Sequence, residues 1–334
     1  MTIETDELDL AALPPDVKER RWLRLVDNAL GQPLRLPVLV ARGARPGPVL
    51  GVTAAVHGDE VNGIPVIHQL FQKLDTKKLR GSIVAVPVVN VPAYEQHTRR
   101  TPQGFDLNHH FPGRADGNDV QVYAHRVVTK ICGHLDALVD LHTASRGRAN
   151  TLYVRANMKR EDTARMAYLQ RPQIILHNPA SDGTLRGALD IPAITVEIGN
   201  PSRFQRDMIR RAVAGLRAIL GDLGMMSRRP VAMGDPPVLC ARSRWLYTTE
   251  GGLLTVLVDL ADQVEAGQPI ARLVDAFGDV RQTYEAPEAG IVIGRAMDPV
   301  AGSGARILHL GALATDDDRF VSREQVTPAP AERT

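Results

Sequence analysis

The sequence predicts an α/β protein in which helices cover both faces of a mostly parallel sheet, followed by a small all-β module. Three observations lead to this prediction. Between residues 49 and 221, apolar runs typical of buried parallel strands alternate with helical patterns. From about residue 238 to 313, short runs of Val, Leu and Ile are broken by Gly, Asp and Pro, without a long helical period. The chain has 334 residues, 44% of them hydrophobic, which suffices for two domains and a sizeable core.

The elements of the α/β part follow in order from the hydrophobic pattern. Continuous apolar runs predict the strands. Asn62 is placed to cap the first helix, ahead of a segment whose apolar residues recur near helical spacing. The predicted elements are strand 48–56, helix 63–74, strands 82–90, 134–142 and 192–198, and an Arg-rich helix over 203–221.

Changes in composition divide the chain into four segments. Residues 1–48 form an adapter that ends in the turn-forming Arg-Pro-Gly-Pro, and residues 49–230 form the α/β domain. The stretch 224–237, rich in Arg, Pro and Gly, has the character of a linker. Residues 231–320 form the all-β module, and residues 321–334 form a tail.

Composition excludes several classes of protein. The net charge of +2 gives no electrostatic footprint for nucleic acid or an anionic membrane. The two cysteines, Cys132 and Cys240, are too few for a disulfide framework or a cysteine-based metal cage. The N-terminus is acidic, and no long apolar run is present, so we expect neither a signal peptide nor a transmembrane helix. The expectation is a soluble cytoplasmic protein.

The most informative segment places His57 and Glu60 just past the carboxyl end of the first predicted buried strand. In open α/β sheets, ligands bind outside the carboxyl ends of the strands. A neutral imidazole and a carboxylate are suitable zinc ligands, and catalytic zinc commonly has three protein ligands and a water. On this spacing alone, simple capping of the following helix is the favoured alternative.

A second strand end favours a metal site over simple capping of the helix. His142 ends another apolar strand, 82 residues after Glu60, and would lie at the same edge of the sheet. Two histidines and a glutamate with an open fourth position form the ligand set of hydrolytic zinc sites. Asp140, on the same side of the strand as His142, is placed to orient a metal-binding side chain without binding the metal itself. An ordinary strand-end Asp that accepts turn hydrogen bonds is the alternative.

Glu197 lies inside a third apolar strand. A buried carboxylate is costly unless it is paired or protonated. Beside a metal and its water, such a glutamate is a natural general base and then an acid toward the leaving amine. Pairing with a buried Arg is the structural alternative, and the two neighbouring strand ends favour the catalytic interpretation.

Four ordered motifs resemble the zinc carboxypeptidase superfamily. Among its branches, the chain is most similar to the succinylglutamate desuccinylase/aspartoacylase family of amide-cleaving deacylases, over approximately residues 49–222. The motifs are HGDE (57–60), DLNHHFPG (106–113), DLHTAS (140–145) and VEIGN (196–200).

The resemblance has direct implications for fold and site. It implies a three-layer α/β/α sandwich around a mixed sheet. It also implies one Zn²⁺ per chain, bound by His57, Glu60 and His142, with Glu197 as the catalytic glutamate.

The same resemblance suggests substrate residues. In such proteins an Arg ahead of the second motif polarises the scissile carbonyl; Arg99 is the match here, and its neighbour Arg100 remains an alternative. The motif's Asn is Asn108, but His109 replaces the usual Arg, whose bidentate grip on a substrate carboxylate an imidazole cannot reproduce. The substrate carboxylate is therefore absent, shifted or held elsewhere. Arg186 is a candidate to hold it, with a surface loop Arg as the equally weighted alternative.

The C-terminal module looks like a biotinyl/lipoyl-type barrel, which suggests a swinging-arm carrier. However, the sequence contains no lysine after Lys159, so a prosthetic group cannot be attached there through an amide. We expect the module to serve as a lid, a pocket wall or the surface of a homo-oligomer.

These observations together predict a zinc-dependent amide hydrolase. It would remove an acetyl or succinyl-like group from a small amino-acid-type substrate by metal-activated water, with Glu197 as base and Arg99 stabilising the oxyanion. N-acylated diamino acids, including intermediates of ectoine breakdown, are suggested by the resemblance alone. A zinc carboxypeptidase acting on a small peptide is the alternative enzyme, and His109 argues against it. A non-catalytic metal-binding sensor is the alternative outside enzymes.

Overall fold

The computed structural model describes residues 2–180, 183–227 and 235–326. Strands of the first two thirds of the chain are β1 (Thr2–Thr5), β2 (Val17–Asp27), β3 (Pro33–Arg42), β4 (Arg45–Ala54), β5 (Arg80–Val86), β6 (Ala137–His142), β7 (Arg148–Asn150), β8 (Leu152–Ala156), β9 (Ile174–His177) and β10 (Ala193–Ile198). Strands of the last third are β11 (Val238–Tyr247), β12 (Gly252–Val256), β13 (Gln263–Val264), β14 (Pro269–Val274), β15 (Val280–Glu285), β16 (Gly290–Ala296), β17 (Val300–Ala301) and β18 (Arg306–Leu313).

The helices are concentrated in the α/β part of the chain. Among the described residues, no helix combines the length and the apolar character needed to cross a bilayer. The α-helices are α1 (Gly63–Gln72), α2 (Val91–Glu95), α3 (Asp119–Lys130), α4 (Glu161–Leu169), α5 (Arg206–Asp222) and α6 (Arg323–Val326), and short 3₁₀ turns cover Leu107–His109, Cys132–His134, Arg186–Ala188 and Asp316–Asp318.

A 14-stranded mixed sheet forms the centre of the molecule. Its order is β1-β2-β3-β5-β4-β6-β10-β8-β9-β11-β18-β16-β13, with β7 paired to β16. The strands β5, β4, β6 and β10 run parallel to one another, whereas β8 runs antiparallel to β10. The carboxyl ends of β4, β6 and β10 therefore meet at one edge, as the sequence predicts.

Helices pack on both faces of this sheet, which gives the predicted three layers. Adjacent side chains of β6 point to opposite faces, so that Leu138 and Val139 enter different cores. On the face of Val139, the core is completed by apolar side chains of α1, α4 and α5, including Ile67, Met166 and Leu216. On the face of Leu138, it is completed by α3 and by the N-terminal strands. The segment 1–48, predicted as an adapter, thus contributes β1, β2, β3 and the start of β4 to the sheet, and the turn predicted for residues 45–48 is wrong, because these residues begin β4.

The C-terminal part is all-β until residue 313, as predicted. Strands β15, β14, β12 and β17 form a separate four-stranded antiparallel sheet, while β11, β13, β16 and β18 belong to the large sheet. Because β11 pairs with β9 and β16 pairs with β7, the large sheet continues through both parts of the chain. The division at residue 230 stays a prediction. Residues 228–234 of the predicted linker and residues 327–334 of the predicted tail lie outside the described residues.

The prediction that Asn62 caps helix α1 is wrong. Asn62 has helical backbone angles and makes no side-chain capping hydrogen bond, because its side chain is turned toward the end of β10. Its Nδ2 donates to the carbonyl of Ile198 at 2.7 Å, and its Oδ1 accepts from the amide of Gln205 at 3.0 Å. Asn62 therefore ties the start of α1 to the loop after β10.

Candidate metal centre and active site

Three side chains with metal-binding chemistry meet at the carboxyl edge of the parallel strands. His57 and Glu60 follow β4, and His142 is the last residue of β6. One ligand atom from each lies within 4.8 Å of the others, and all three residues are buried. The Nδ1 atoms of His57 and His142 lie 2.9 and 3.0 Å from the two carboxylate oxygens of Glu60. The structure therefore brings together the predicted ligand set.

The turn after β4 depends on Gly58. A Cβ atom at this position would lie 2.1 Å from the backbone carbonyl carbon of Ala93, in the middle of α2. Only a glycine permits this close approach. The tight packing of the turn against α2 holds His57 and Glu60 at the strand end.

The ring nitrogen Nε2 of each histidine, on the side away from Glu60, contacts an aspartate carboxylate. Nε2 of His142 lies 2.7 Å from Oδ2 of Asp140, and Nε2 of His57 lies 3.2 Å from Oδ1 of Asp106. A carboxylate accepts hydrogen bonds, so each Nε2 donates its hydrogen to an aspartate, which leaves Nδ1, on the side of Glu60, as the nitrogen that can bind a metal when the ring is neutral. Metal-binding histidines are oriented in this way by carboxylates. The donor set therefore fits a divalent zinc ion.

The same contacts shift the pKa values of the metal-free residues. Burial alone would lower the pKa of both histidines, but Glu60 and Asp106 raise the pKa of His57 above its usual value, and Asp140 and Glu60 raise that of His142 well above it. Burial would raise the pKa of Glu60, but the two imidazoles hold it well below its usual range. Because a metal binds the neutral imidazole, metal binding at this site competes with protonation of the two histidines.

Arg99 lies across the opening of the ligand set. Its Nη1 donates to Oγ of Ser145 at 2.7 Å and to Oε1 of Glu60 at 3.2 Å, and its Nε donates to Asp106 at 2.9 Å. The alternative, Arg100, is exposed and donates to the carbonyl of Gly104. The structure therefore places Arg99, and not Arg100, at the site.

Glu197 has both the position beside the metal ligands and the arginine partner that its sequence context suggested as alternatives. It is paired across β10 and β6 with His142 and lines the same cavity. Its Oε1 accepts from Nε of Arg155 at 3.2 Å, and its Oε2 accepts from Nδ2 of Asn150 at 3.4 Å. Arg155 also donates to the hydroxyl of Tyr153 at 2.6 Å. Glu197 is thus both paired with a half-buried Arg and present at the candidate metal centre.

A cavity of about 320 Å³ is lined by the three candidate metal ligands together with Arg99, Asp140, Ser145 and Glu197. The predicted substrate residues Asn108, His109 and Arg186 line it as well. Further residues that sequence reasoning did not identify are Thr143, Ala144, Arg148, Asn150, Tyr153, Arg155, Asn178, Thr184, Thr195, Trp245 and Arg306.

The three predicted substrate residues have different environments. Asn108 accepts a hydrogen bond from the amide of Leu185 at 2.9 Å, so its side-chain oxygen fixes the neighbouring loop. His109 is exposed. Arg186 is buried, which excludes the surface-loop alternative, and it donates to the side chain and backbone of Asn178. Burial, reinforced by the charge of Arg155, lowers the pKa of Arg186 to about 10.

The cavity residues that were not identified from the sequence include side chains of β8 and of the C-terminal part of the chain. Tyr153 and Arg155 alternate on β8, the antiparallel neighbour of β10, and this alternation is a signal that was present in the sequence. Trp245 and Arg306 come from β11 and β18 of the C-terminal part. No local spacing connects these two residues to the metal ligands.

Comparisons with known proteins agree with the four motifs. The family model described as the succinylglutamate desuccinylase/aspartoacylase catalytic domain matches residues 46–223. The N-alpha-acetyl-L-2,4-diaminobutyric acid deacetylase of Halomonas elongata is 24% identical over 285 residues, which cover 80% of this chain and 83% of the relative.

Solved structures share the fold over nearly the whole chain. The product-bound ectoine utilization protein EutE (DoeB) of Ruegeria pomeroyi superposes with a TM-score of 0.81 at 22% identity, covering 90% of this chain and 98% of that one. A succinylglutamate desuccinylase/aspartoacylase structure from Rhodobacter sphaeroides superposes with a TM-score of 0.82 at 20% identity, covering 93% and 100%. The similarity therefore extends through the C-terminal β part.

Proposed function

The chain belongs to the succinylglutamate desuccinylase/aspartoacylase family, and on that premise we propose that it is a zinc-dependent hydrolase of N-acyl amino acids. The acyl group is acetyl or succinyl-like, and the products are a carboxylic acid and a free amine. The observation that carries the proposal is the buried group of His57, Glu60 and His142, which shares a cavity with Glu197. The deacetylase name of the Halomonas elongata relative supports the reaction class.

His57, Glu60 and His142 would hold the zinc ion. When bound, zinc supplies Lewis acidity, which polarises the scissile carbonyl and lowers the pKa of water in the site. Asp106 and Asp140 keep both imidazoles in the tautomer that can ligate.

Glu197 would move the proton. Its carboxylate accepts a proton from the attacking water as the oxygen adds to the acyl carbon. The same proton then passes to the nitrogen of the scissile amide, so that the amine leaves in its neutral form. Arg155 and Asn150 each donate to one carboxylate oxygen of Glu197 and thereby fix its orientation.

Arg99 would stabilise the negative charge that develops on the carbonyl oxygen. Its guanidinium already lies against Glu60 and Ser145, at the opening of the ligand set. A fixed cation at this position stabilises the transition state more than the ground state, because the charge on oxygen grows during the addition of water.

Amine release from a panel of N-acyl amino acids tests the proposal. Zinc-loaded protein should hydrolyse at least one N-acetyl or N-succinyl amino acid. In the Glu197→Gln variant, kcat should fall by roughly 10²- to 10⁴-fold with zinc retained, because the amide cannot accept the proton. The matched control is Glu95→Gln, at an exposed position on α2, which should behave as wild type.

Two outcomes would overturn the proposal. Near-normal turnover by the Glu197→Gln variant would reject the mechanism even with zinc bound. Zinc retention without amine release from any acyl amino acid would reject the deacylase activity, and release of a C-terminal residue from peptides would then identify the carboxypeptidase alternative.

A further inference from the structure

A row of apolar side chains crosses the outer face of the small four-stranded sheet. The strands follow one another in the order β17, β12, β14 and β15, and the register of each pair places the members of the row directly opposite each other: Val300, Leu253, Val274 and Val280. Val300, Leu253 and Val280 are 72%, 48% and 57% exposed. Because directly opposed side chains on one face touch, the row is a continuous apolar stripe.

The opposite face of this sheet already belongs to a core. Leu254 and Leu273 alternate with members of the row on β12 and β14, and they are buried and paired with each other. An antiparallel sheet with one face packed on a core commonly has a polar face toward water. The outer row departs from that pattern, and contiguous exposed apolar surface of this kind marks an interaction site.

The turn between β14 and β15 extends the apolar surface beyond the row. Phe277, at its tip, is 93% exposed. The turn is well formed, since Oδ1 of Asp275 accepts from the backbone amides of Phe277 and Asp279 at 2.9 and 3.0 Å. A structured turn therefore presents a large aromatic ring at the end of the apolar stripe.

Charges of opposite sign lie on the two sides of the row. On one side is Arg272, which precedes Val274 by two residues on β14 and so shares its face. Arg272 is exposed, and its side chain makes no ion pair or hydrogen bond with the part of the chain that the structure describes. On the other side are the carboxylates of Asp275 and Asp279 in the turn.

A two-fold axis along the row would bring these charges together. Rotation about this axis places a second copy of the sheet face to face with the first and reverses the direction of its strands. Each member of the row then faces its own counterpart, and Arg272 of each copy lies over Asp275 and Asp279 of the other. Arg281 of β15 does not oppose this arrangement, because Glu250 of the same chain neutralises it at 3.0 Å.

We propose that this face is the interface of a homodimer, with Leu253 and Val274 at its centre and Phe277 at its rim. The face is complementary to itself in both apolar character and charge, as a two-fold interface requires. A lipid surface is the poorer partner, because the carboxylates of Asp275 and Asp279 on either side of Phe277 would be repelled by anionic headgroups.

The size of the face sets the strength of the dimer. The strands β12, β14 and β15 are five to six residues long. Four strands about 4.8 Å apart and about 17–20 Å long offer roughly 300–400 Å² per copy, about half of a standard interface. The dimer is therefore weak, with a Kd on the order of 10–100 µM.

Sedimentation equilibrium of the full chain measures this association. Between about 5 and about 500 µM, the wild type should pass from monomer to dimer. Leu253→Lys places two like charges face to face at the centre of the interface and should raise the Kd at least about tenfold. Leu313→Lys is the matched control and should leave the Kd unchanged, because Leu313 is similarly exposed but lies on β18 of the large sheet.

Exchange of charges tests the relative orientation of the two copies. Arg272→Glu and Asp279→Arg each replace two attractive contacts by two repulsive ones, so each variant alone should dimerise about tenfold more weakly than wild type. Asp279 takes part in the turn through its backbone, so its substitution keeps the hydrogen bonds of the turn. An equimolar mixture of the two variants, one of them fluorescently labelled, should regain the wild-type affinity, because every contact in the mixed dimer is again attractive.

Three outcomes would overturn the proposal. The first is a wild type that stays monomeric up to about 500 µM; its co-sedimentation with phosphatidylcholine vesicles would then identify the row as a lipid contact. The second is a dimer that Leu253→Lys, folded by circular dichroism, does not weaken. The third is a mixture of the two charge variants that associates no better than either variant alone.

Discussion

Replacing Asp140 by Asn should weaken zinc binding through the tautomer of His142. Asp140 is buried, and its two oxygens are both used: Oδ2 contacts Nε2 of His142 at 2.7 Å, and Oδ1 accepts from Thr53 at 2.7 Å. Asn has the same shape, and its carbonyl oxygen can still accept from Thr53. Its NH₂ group then faces His142 and donates to Nε2. The hydrogen of the imidazole moves to Nδ1, which is the atom that must bind the metal.

The size of the effect follows from this geometry. Loss of a partner that orients a metal-binding histidine typically reduces metal affinity 10- to 100-fold, about 1.4–2.7 kcal/mol. We expect the upper part of this range for Asp140→Asn, because the substitution reverses the tautomer instead of merely removing a contact. Thr53→Val removes the other partner of Asp140 but keeps the contact with His142, so it should cost less.

Competition with a chromophoric zinc chelator measures the affinity of each variant. Asp136→Asn is the matched control, since Asp136 is exposed just before β6 and accepts from the amide of Val49, which an Asn oxygen can also do. Circular dichroism establishes that each variant is folded. An Asp140→Asn protein that is folded and binds zinc as tightly as wild type would refute the assigned role of Asp140.

Three further predictions address the ligands, the oxyanion and the pH dependence. His57→Ala and His142→Ala should each abolish stoichiometric zinc in metal analysis, and full occupancy in both would show that the site is misassigned. Arg99→Lys keeps the charge but not the planar donor fork, so kcat should fall in steady-state assays, and an unchanged kcat would exclude Arg99 from catalysis. Burial, and then the charges of Arg155 and neighbouring arginines, hold the pKa of His309 well below its usual value. The unfolded chain therefore binds a proton first as the pH falls below about 6.5, and wild type should lose up to about 1.4 kcal/mol of unfolding free energy per pH unit relative to His309→Gln. Parallel stability curves in urea for the two proteins would contradict this.

The centre of the fold and the ligand set could be predicted from the sequence because both depend on the hydrophobic pattern of buried parallel strands. A strand buried on both faces is a continuous apolar run, so polar side chains at its carboxyl end are conspicuous. His57, His142 and Glu197 stand at three such ends, and parallel neighbours bring them to one edge. Their meeting in the structure follows from sheet geometry, whereas their roles in zinc binding and catalysis remain proposals.

The hydrogen-bond partners of these residues were less predictable. Asn62 has the sequence context of a helix cap, yet its side chain is used by Ile198 and Gln205, more than 130 residues away. Arg99 was identified only through the motif, and its contacts with Glu60 and Asp106 depend on how two loops pack. Local propensity does not encode such contacts, because each is decided by tertiary packing.

The cavity wall shows why the C-terminal part could not be assigned a role from its own sequence. As an isolated β module it resembles a carrier domain without the carrier lysine. In the structure, β16 pairs with β7 and β11 pairs with β9, so the module completes the sheet that holds Arg148. Trp245 and Arg306 enter the cavity only because of these pairings. Of the three roles considered, which were lid, pocket wall and oligomer surface, the pocket wall is therefore the one for which the described residues supply contacts.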